Sequence, residues 1–399
     1  MSTSLIIEYL SSDGSLTTYY TPFFNSAGLS MSTSTPILYF DLITSQSKYE
    51  KHNKPSQLLV DLDLNPSSAW DRKHLFACHV ICSSNLANNL PALRKVSAQP
   101  LDGSTATHRY QIEKFIEGPD VSQRAQTETH LVHTVGVSLG QIWGSLDAIR
   151  TRTLTESAGG AADPASSPVT PRPKRRKSNT SREGFVDSGQ MKVASSSPIG
   201  AASPSPAKST GYADPSAIHD LPHEAYAVLL SSCVLRHLLY YSHTPDAQHT
   251  VEFRLQQRMT AELNKTKSIA AEDDGGLCVR VSKSKLITMD SIELFEAKRR
   301  LHVVNDVPVI SDGVLAQMTC EAIAARMSRK GDEAGDYVFI INGTQQYMRF
   351  FQFSIKKEYI ESIKKGQMQG RELNVAATRW FNLNDRLDRK CVVENIFQL

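Results

Sequence analysis

The sequence predicts an α+β chain built as two folded parts: a β-rich amino-terminal domain over residues 1–150 that ends in a helix, and a carboxy-terminal α/β domain over 216–399. Three observations carry this. Short apolar runs separated by turn residues fill the first 120 positions, a Pro/Ser/Ala-rich stretch interrupts the chain at 151–215, and segments of helical and strand periodicity alternate after it. A chain of 399 residues with 40% hydrophobic content has room for two to three domains with proper cores.

In the amino-terminal part, strands are expected over 5–10, 16–24, 37–43, 58–64, 75–82 and 110–115, punctuated by Asp-Gly, Pro and Ser-rich turns. Asp61 and Asp63 alternate with Val60, Leu62 and Leu64, which reads as the solvated face of a half-buried strand rather than a metal pair. His74, Cys78, His79 and Cys82 are the nearest thing to a metal cluster. No second pair at matching spacing exists, so all six cysteines read as reduced core thiols. Leu131, Val135, Leu139, Ile142, Leu146 and Ile149 step at close to heptad spacing, beside a row of Gly136, Gly140 and Gly144. Each glycine costs a helix about 1 kcal/mol against alanine. A closely approaching partner would compensate, either the domain's own sheet or, through the 131–149 helix, a second copy or another protein.

Residues 151–215 hold eight of the eighteen prolines and few large apolar side chains, the composition of a disordered linker. Its nine basic and five acidic residues give +4, more than the +3 of the whole chain, so the folded parts show no basic excess to attract a polyanion. Pro171-Arg172-Pro173-Lys174-Arg175-Arg176-Lys177 resembles a nuclear localisation signal, which implies a nuclear import receptor as partner and the nucleus as location. Thr170 and Ser205 precede prolines and are candidate phosphorylation sites. Phosphate at Thr170 would set nearly two negative charges beside the basic run. No run approaches the ~18 apolar residues of a membrane span.

After the linker, apolar residues at 251, 255, 259 and 263 predict a helix, 277–287 a strand, and 290–298 a strand ending in Glu296-Ala297-Lys298. Alternation places Glu296 and Lys298 on one face. A helix follows over 314–324 with Gln317, then two strands, 337–341 and 347–353, around an expected Asn342-Gly343 turn.

That order, with Glu-Ala-Lys, Gln317, Asn342-Gly343 and the aromatic run 347–353, resembles the restriction-endonuclease-like PD-(D/E)XK superfamily, and within it the nuclease-like domains of fungal genomes. The resemblance covers about residues 216–399. It implies a Mg²⁺ site in which Glu296 binds the ion, Lys298 orients the attacking water, Gln317 positions the site, and nucleic acid is the partner. It also implies an aspartate on the strand before Glu-x-Lys, where this chain has Val279, Arg280 and Val281. Asp274, at the strand entrance, is the substitute at hand, and Glu252 or Glu262 would be the helix carboxylate. Two readings follow: a nuclease-like module that has lost its chemistry and binds nucleic acid or protein, favoured by the missing strand acid, and an active Mg²⁺-dependent nuclease, favoured by the intact Glu-Ala-Lys.

Replacing Lys174, Arg175, Arg176 and Lys177 by alanine is expected to move a fluorescently tagged full-length chain from nucleus to cytoplasm. Unchanged nuclear accumulation would refute the signal.

Overall fold

The computed structural model describes residues 8–10, 16–18, 37–53, 57–95, 105–159, 223–244, 246–281, 287–298, 302–304, 307–329 and 335–399. Two compact units are distinguished, residues 1–37 and 38–399. In the first, β1 (Glu8–Leu10) and β2 (Leu16–Thr18) pair antiparallel, within the stretches expected to be strands around Asp13-Gly14.

The second unit begins with α1 (Tyr39–Leu42), α2 (Gln46–His52), α3 (Arg72–Ala77) and β3 (Val80–Cys82). Three further helices follow, α4 (Ala106–Glu117), α5 (Glu128–Val135) and α6 (Val137–Gly159). Beyond the linker come α7 (His223–Ser242), β4 (His249–Arg254), β5 (Arg258–Glu262), β6 (Ser268–Glu272), β7 (Gly275–Val281) and β8 (Ile287–Lys298). The short strands β9 (His302–Val304) and β10 (Val307–Val309) lead into α8 (Asp312–Ser328). The chain closes with β11 (Tyr337–Thr344), β12 (Tyr347–Ser354), α9 (Lys357–Lys365), β13 (Leu373–Ala377), β14 (Phe381–Asn382) and α10 (Arg386–Gln398).

One mixed sheet organises this unit in the order β3-β13-β12-β11-β8-β7-β4, with β14 also on β12. The β8–β11 and β13–β3 pairs are parallel; the other pairs of this sheet are antiparallel. A parallel pair needs a crossover, and α8 supplies it between β8 and β11. The core on the α8 side joins Leu294, Ile340, Phe351 and Phe353 to α1, α3 and α8. The core on the other side joins Phe295, Ala297, Ile341 and Phe350 to α4, α6, α7 and α10.

The expectation of a separate, β-rich 1–150 domain is therefore corrected. Residues 37–43 and 110–115 lie in or beside helices, 58–64 holds a single 3₁₀ turn (Leu59–Asp61), and 75–82 is divided between α3 and β3. Apolar runs of four to eight residues do not distinguish strand from buried helix by period. Over 110–115 and 75–82 caps favour the helix: Thr105 accepts from the His108 N–H to start α4, and Asp71 from the Lys73 N–H to start α3. Asp61 and Asp63 are solvent-exposed, outside any strand. His74 closes a capping box with Asp71, and all six cysteines are buried free thiols.

The predicted 131–149 helix is two helices, broken at Gly136, whose φ is +93°. The glycine row explains the break. A Cβ on Gly140 would come within 2.5 Å of the Val132 nitrogen, and one on Gly144 within 2.8 Å of the Glu128 Cβ, so α5 folds back directly onto α6. The compensating partner is the chain's own preceding helix, rather than the sheet or a second copy. Leu131, Leu139, Ile142, Leu146 and Ile149 are buried in the chain's own core, which removes this seam as a partner surface. Helix α6 also runs through the first nine residues assigned to the linker; Thr170, Lys174 to Lys177 and Ser205 lie outside the described residues.

After the linker, the helix expected over 251–263 is two strands, since Met259, Ala261 and Leu263 are buried while Thr260 and Glu262 are exposed, a period of two. The helix of the expected order is α7. The hairpin after α8 is present, but its turn is Gln345-Gln346, with Gln345 at φ +50°. Asn342 and Gly343 sit inside β11, and Gly343 is required there because a Cβ would meet the Ser231 hydroxyl of α7 at 2.4 Å. Among the described residues no helix is long and apolar enough to cross a membrane.

Residues 38–151 and 223–399 share a sheet and both cores. Arg389 of α10 donates to the Ile116 and Glu117 carbonyls at 3.0 and 2.9 Å. Cleavage within 160–222 is therefore expected to leave two fragments that co-elute in native size-exclusion chromatography and separate only in denaturant. Separate native elution would overturn the shared sheet.

Candidate active site

Strand β8 has carbonyl and amide partners on both edges and packed layers on both faces, so Glu293 through Ala297 are all buried. Alternation sends Leu294 and Glu296 toward α8, and Glu293, Phe295 and Ala297 the other way. Two carboxylates thus lie on opposite faces of one strand.

Glu296 is 1% exposed. Its Oε1 accepts from Gln317 Nε2 at 2.6 Å, and the same amide reaches Glu321 Oε1 at 2.9 Å. Gln317 and Glu321 are one turn apart on α8, which Ser311 caps by accepting from Val314. From the neighbouring strand, Asn342 Nδ2 donates to the Glu296 carbonyl at 3.1 Å. Register carries the row onward: Glu296 is opposite Asn342, and Asn342 opposite Arg349 on β12. The Arg349 guanidinium donates to the Thr378 carbonyl at 2.8 Å and lies 4.7, 5.1 and 5.4 Å from the rings of Phe40, Phe351 and Trp380. Burial pulls its pKa down to about 10.

Asp274 completes the arrangement from the other edge. Gly275 is opposite Phe295, so the preceding residue, Asp274, is the cross-strand neighbour of Glu296. Its N–H donates to the Phe295 carbonyl at 3.0 Å, and its Oδ2 accepts from the Ala297 N–H at 2.8 Å. The close approach of β7 depends on Gly276, where a Cβ would fall 2.3 Å from the Glu293 carbonyl oxygen. Asp273, by contrast, pairs with Arg254 at 2.5 Å and accepts from Gln257 at 2.9 Å. Burial raises its pKa, against the opposing pull of Arg254.

Of the expected residues, Glu296, Gln317 and Asp274 are brought together. Lys298 is placed by its backbone as the last residue of β8, opposite Thr344; its side chain lies outside the described residues. Glu252 and Glu262 are corrected. They sit on β4 and β5 rather than on a helix, both exposed, and Glu252 is paired with Arg280 at 2.7 Å. The helix carboxylate that does approach Glu296 is Glu321, which the sequence reading passed over; its signal was the i, i+4 spacing from Gln317. Arg349 was also missed, since only the β11–β12 register aligns it with Glu296. Among the described residues no group of three His, Cys, Asp or Glu side chains is placed to hold a metal. Neither a family model nor a curated protein sequence matches the chain.

Glu293 has no hydrogen-bond partner on either carboxylate oxygen among the described residues, and this burial pushes its pKa well above the usual carboxylate range, with Arg329 pulling the other way. The folded chain keeps a proton that the unfolded chain loses, so stability is greatest below the unfolded pKa and falls as pH rises toward the folded one. Glu293→Gln removes this ionisation and is expected to stabilise the protein at neutral pH, by up to about 1.4 kcal/mol for each pH unit above the unfolded carboxylate pKa until the folded one is reached. Thermal denaturation should show a larger gain at pH 8 than at pH 5. Equal gains at both would mean that Glu293 does not hold this proton.

Proposed function

We propose that the chain carries a PD-(D/E)XK-like nuclease core in which Asp274 and Glu296 bind one divalent cation and Lys298 orients a water for phosphodiester hydrolysis. The observation that carries this reading is Asp274, whose carboxylate is fixed on the Ala297 amide, across the strand from Glu296. The acid missing from Val279, Arg280 and Val281 is thereby replaced from the entrance of the same strand. The order α7, β4, β7, β8, α8, β11, with β8 and β11 parallel, supports the same reading.

The donor set fits Mg²⁺, which takes one or two carboxylates and fills its remaining positions with waters and substrate phosphate. When bound, the ion would polarise the phosphate and lower the pKa of a bound water. The chain's own residues hold the geometry. Gln317 fixes the Glu296 carboxylate at 2.6 Å, and the Ala297 amide fixes Asp274 at 2.8 Å. The basic segment 174–177 supports a nuclear location for this activity.

A second reading, a binding module without chemistry, is favoured by the closure of the site: Glu296 is 1% exposed and already bonded to Gln317. The two readings separate in an assay of the full chain with DNA and RNA in Mg²⁺ or Mn²⁺. On the first, cleavage is observed, Asp274→Asn, Glu296→Gln and Lys298→Ala each lower it by about 10²-fold or more, and circular dichroism is unchanged. If no metal supports cleavage and Mn²⁺ leaves Tm unchanged in wild type and Asp274→Asn alike, the second reading holds.

A further inference from the structure

A cavity of about 310 Å³ opens between the end of α7, strand β4 at the edge of the sheet, and the start of α4, on the face of the sheet opposite Glu296. Its size is at the lower end of ligand pockets, about 300–1,000 Å³. Arg236 lines it and makes no ion pair among the described residues. Its guanidinium carbon lies 5.0 Å from the centre of the Phe253 ring, which forms another wall. Cation–π contact holds the group in place without neutralising its charge.

Two imidazoles add donors. His243 Nε2 accepts from the Val251 N–H at 2.9 Å, so its neutral form carries the proton on Nδ1. His108 lines the opposite wall, and its Nδ1 is buried with no hydrogen-bond partner among the described residues. The one acid on the wall, Glu252, is matched by Arg280 at 2.7 Å. The cavity therefore presents an uncompensated cation with imidazole donors beside the aromatic faces of Phe253 and Tyr240.

From this we infer that the cavity binds a single nucleoside monophosphate, its phosphate held by Arg236 and the imidazoles and its base lying against Tyr240. Guanidinium forks match phosphate oxygens in pairs, and aromatic faces take any base. The volume admits one nucleotide rather than an oligomer. The cavity shares no residue with the Asp274–Glu296 site and binds its ligand whether or not that site is active.

Isothermal titration of the full chain with AMP, adenosine and inorganic phosphate tests it. AMP is expected to bind at least tenfold more tightly than either adenosine or inorganic phosphate. Arg236→Gln should lower AMP affinity at least tenfold while leaving adenosine affinity and the unliganded Tm unchanged. Thr244→Trp, an exposed position on the rim, should block AMP without touching the cation, and it carries the test if Arg236→Gln does not fold. Absence of AMP binding at millimolar concentration, equal binding of inorganic phosphate and AMP, or full AMP affinity in Thr244→Trp would overturn the inference.

Discussion

Strand β8 lies between an antiparallel neighbour, β7, and a parallel one, β11, and both of its faces are covered. This double burial constrains everything near it. A parallel neighbour requires a crossover, the crossover is α8, and packing α8 over the sheet brings Gln317 and Glu321 to Glu296. An acid in such a place must be given donors, because an unpaired buried polar group costs about 1–3 kcal/mol. Gln317 supplies one to its side chain, and Asn342 one to its carbonyl. On the other face the same strand offers Glu293 no such donors among the described residues, and that carboxylate keeps its proton instead.

The joining of the two halves follows from the width of the sheet. Strand β13 needs a partner on its outer edge, and β3, from the first half of the chain, pairs with it in parallel. The layers that cover the sheet are likewise shared: α1 and α3 pack beside α8, and α4 and α6 beside α7 and α10. Residues 160–222 separate α6 from α7 only along the sequence, since elements on both sides of them build the same sheet and the same two cores. A long insertion between α6 and α7 is thus compatible with one cooperative body on either side of it.

Elements whose signals are local were legible in the sequence. The Glu-Ala-Lys strand, the helix around Gln317 and the aromatic strand 347–353 stand where their patterns place them. The failures share a cause. Residues 37–43 and 110–115 are too short for their period to discriminate; burial of Tyr39 sets the first helix, and the Thr105 cap with burial of Ile112 and Phe115 the second. Asn342-Gly343 has the composition of a turn, yet its glycine answers to Ser231 on a distant helix. Asp274 could not be assigned from spacing, because its position depends on the β7–β8 register, which irregularities between Leu277 and Arg280 shift.

The polar row across the sheet gives the site a direction. Asp274, Glu296, Asn342 and Arg349 occupy adjacent strands, so acids lie at one end and a cation at the other, two strands and roughly 10 Å from Glu296. The cation is not there to neutralise Glu296: Arg349 bonds to Thr378 and is enclosed by Phe40, Phe351 and Trp380, while Glu296 takes its hydrogen bond from a neutral amide. At the entrance of β7 the Arg254 guanidinium goes to Asp273, and its neighbour Asp274 takes the Ala297 backbone amide. The two adjacent aspartates thus divide their partners: Asp273 is bound to an arginine, while Asp274 takes a backbone amide of β8 beside Glu296.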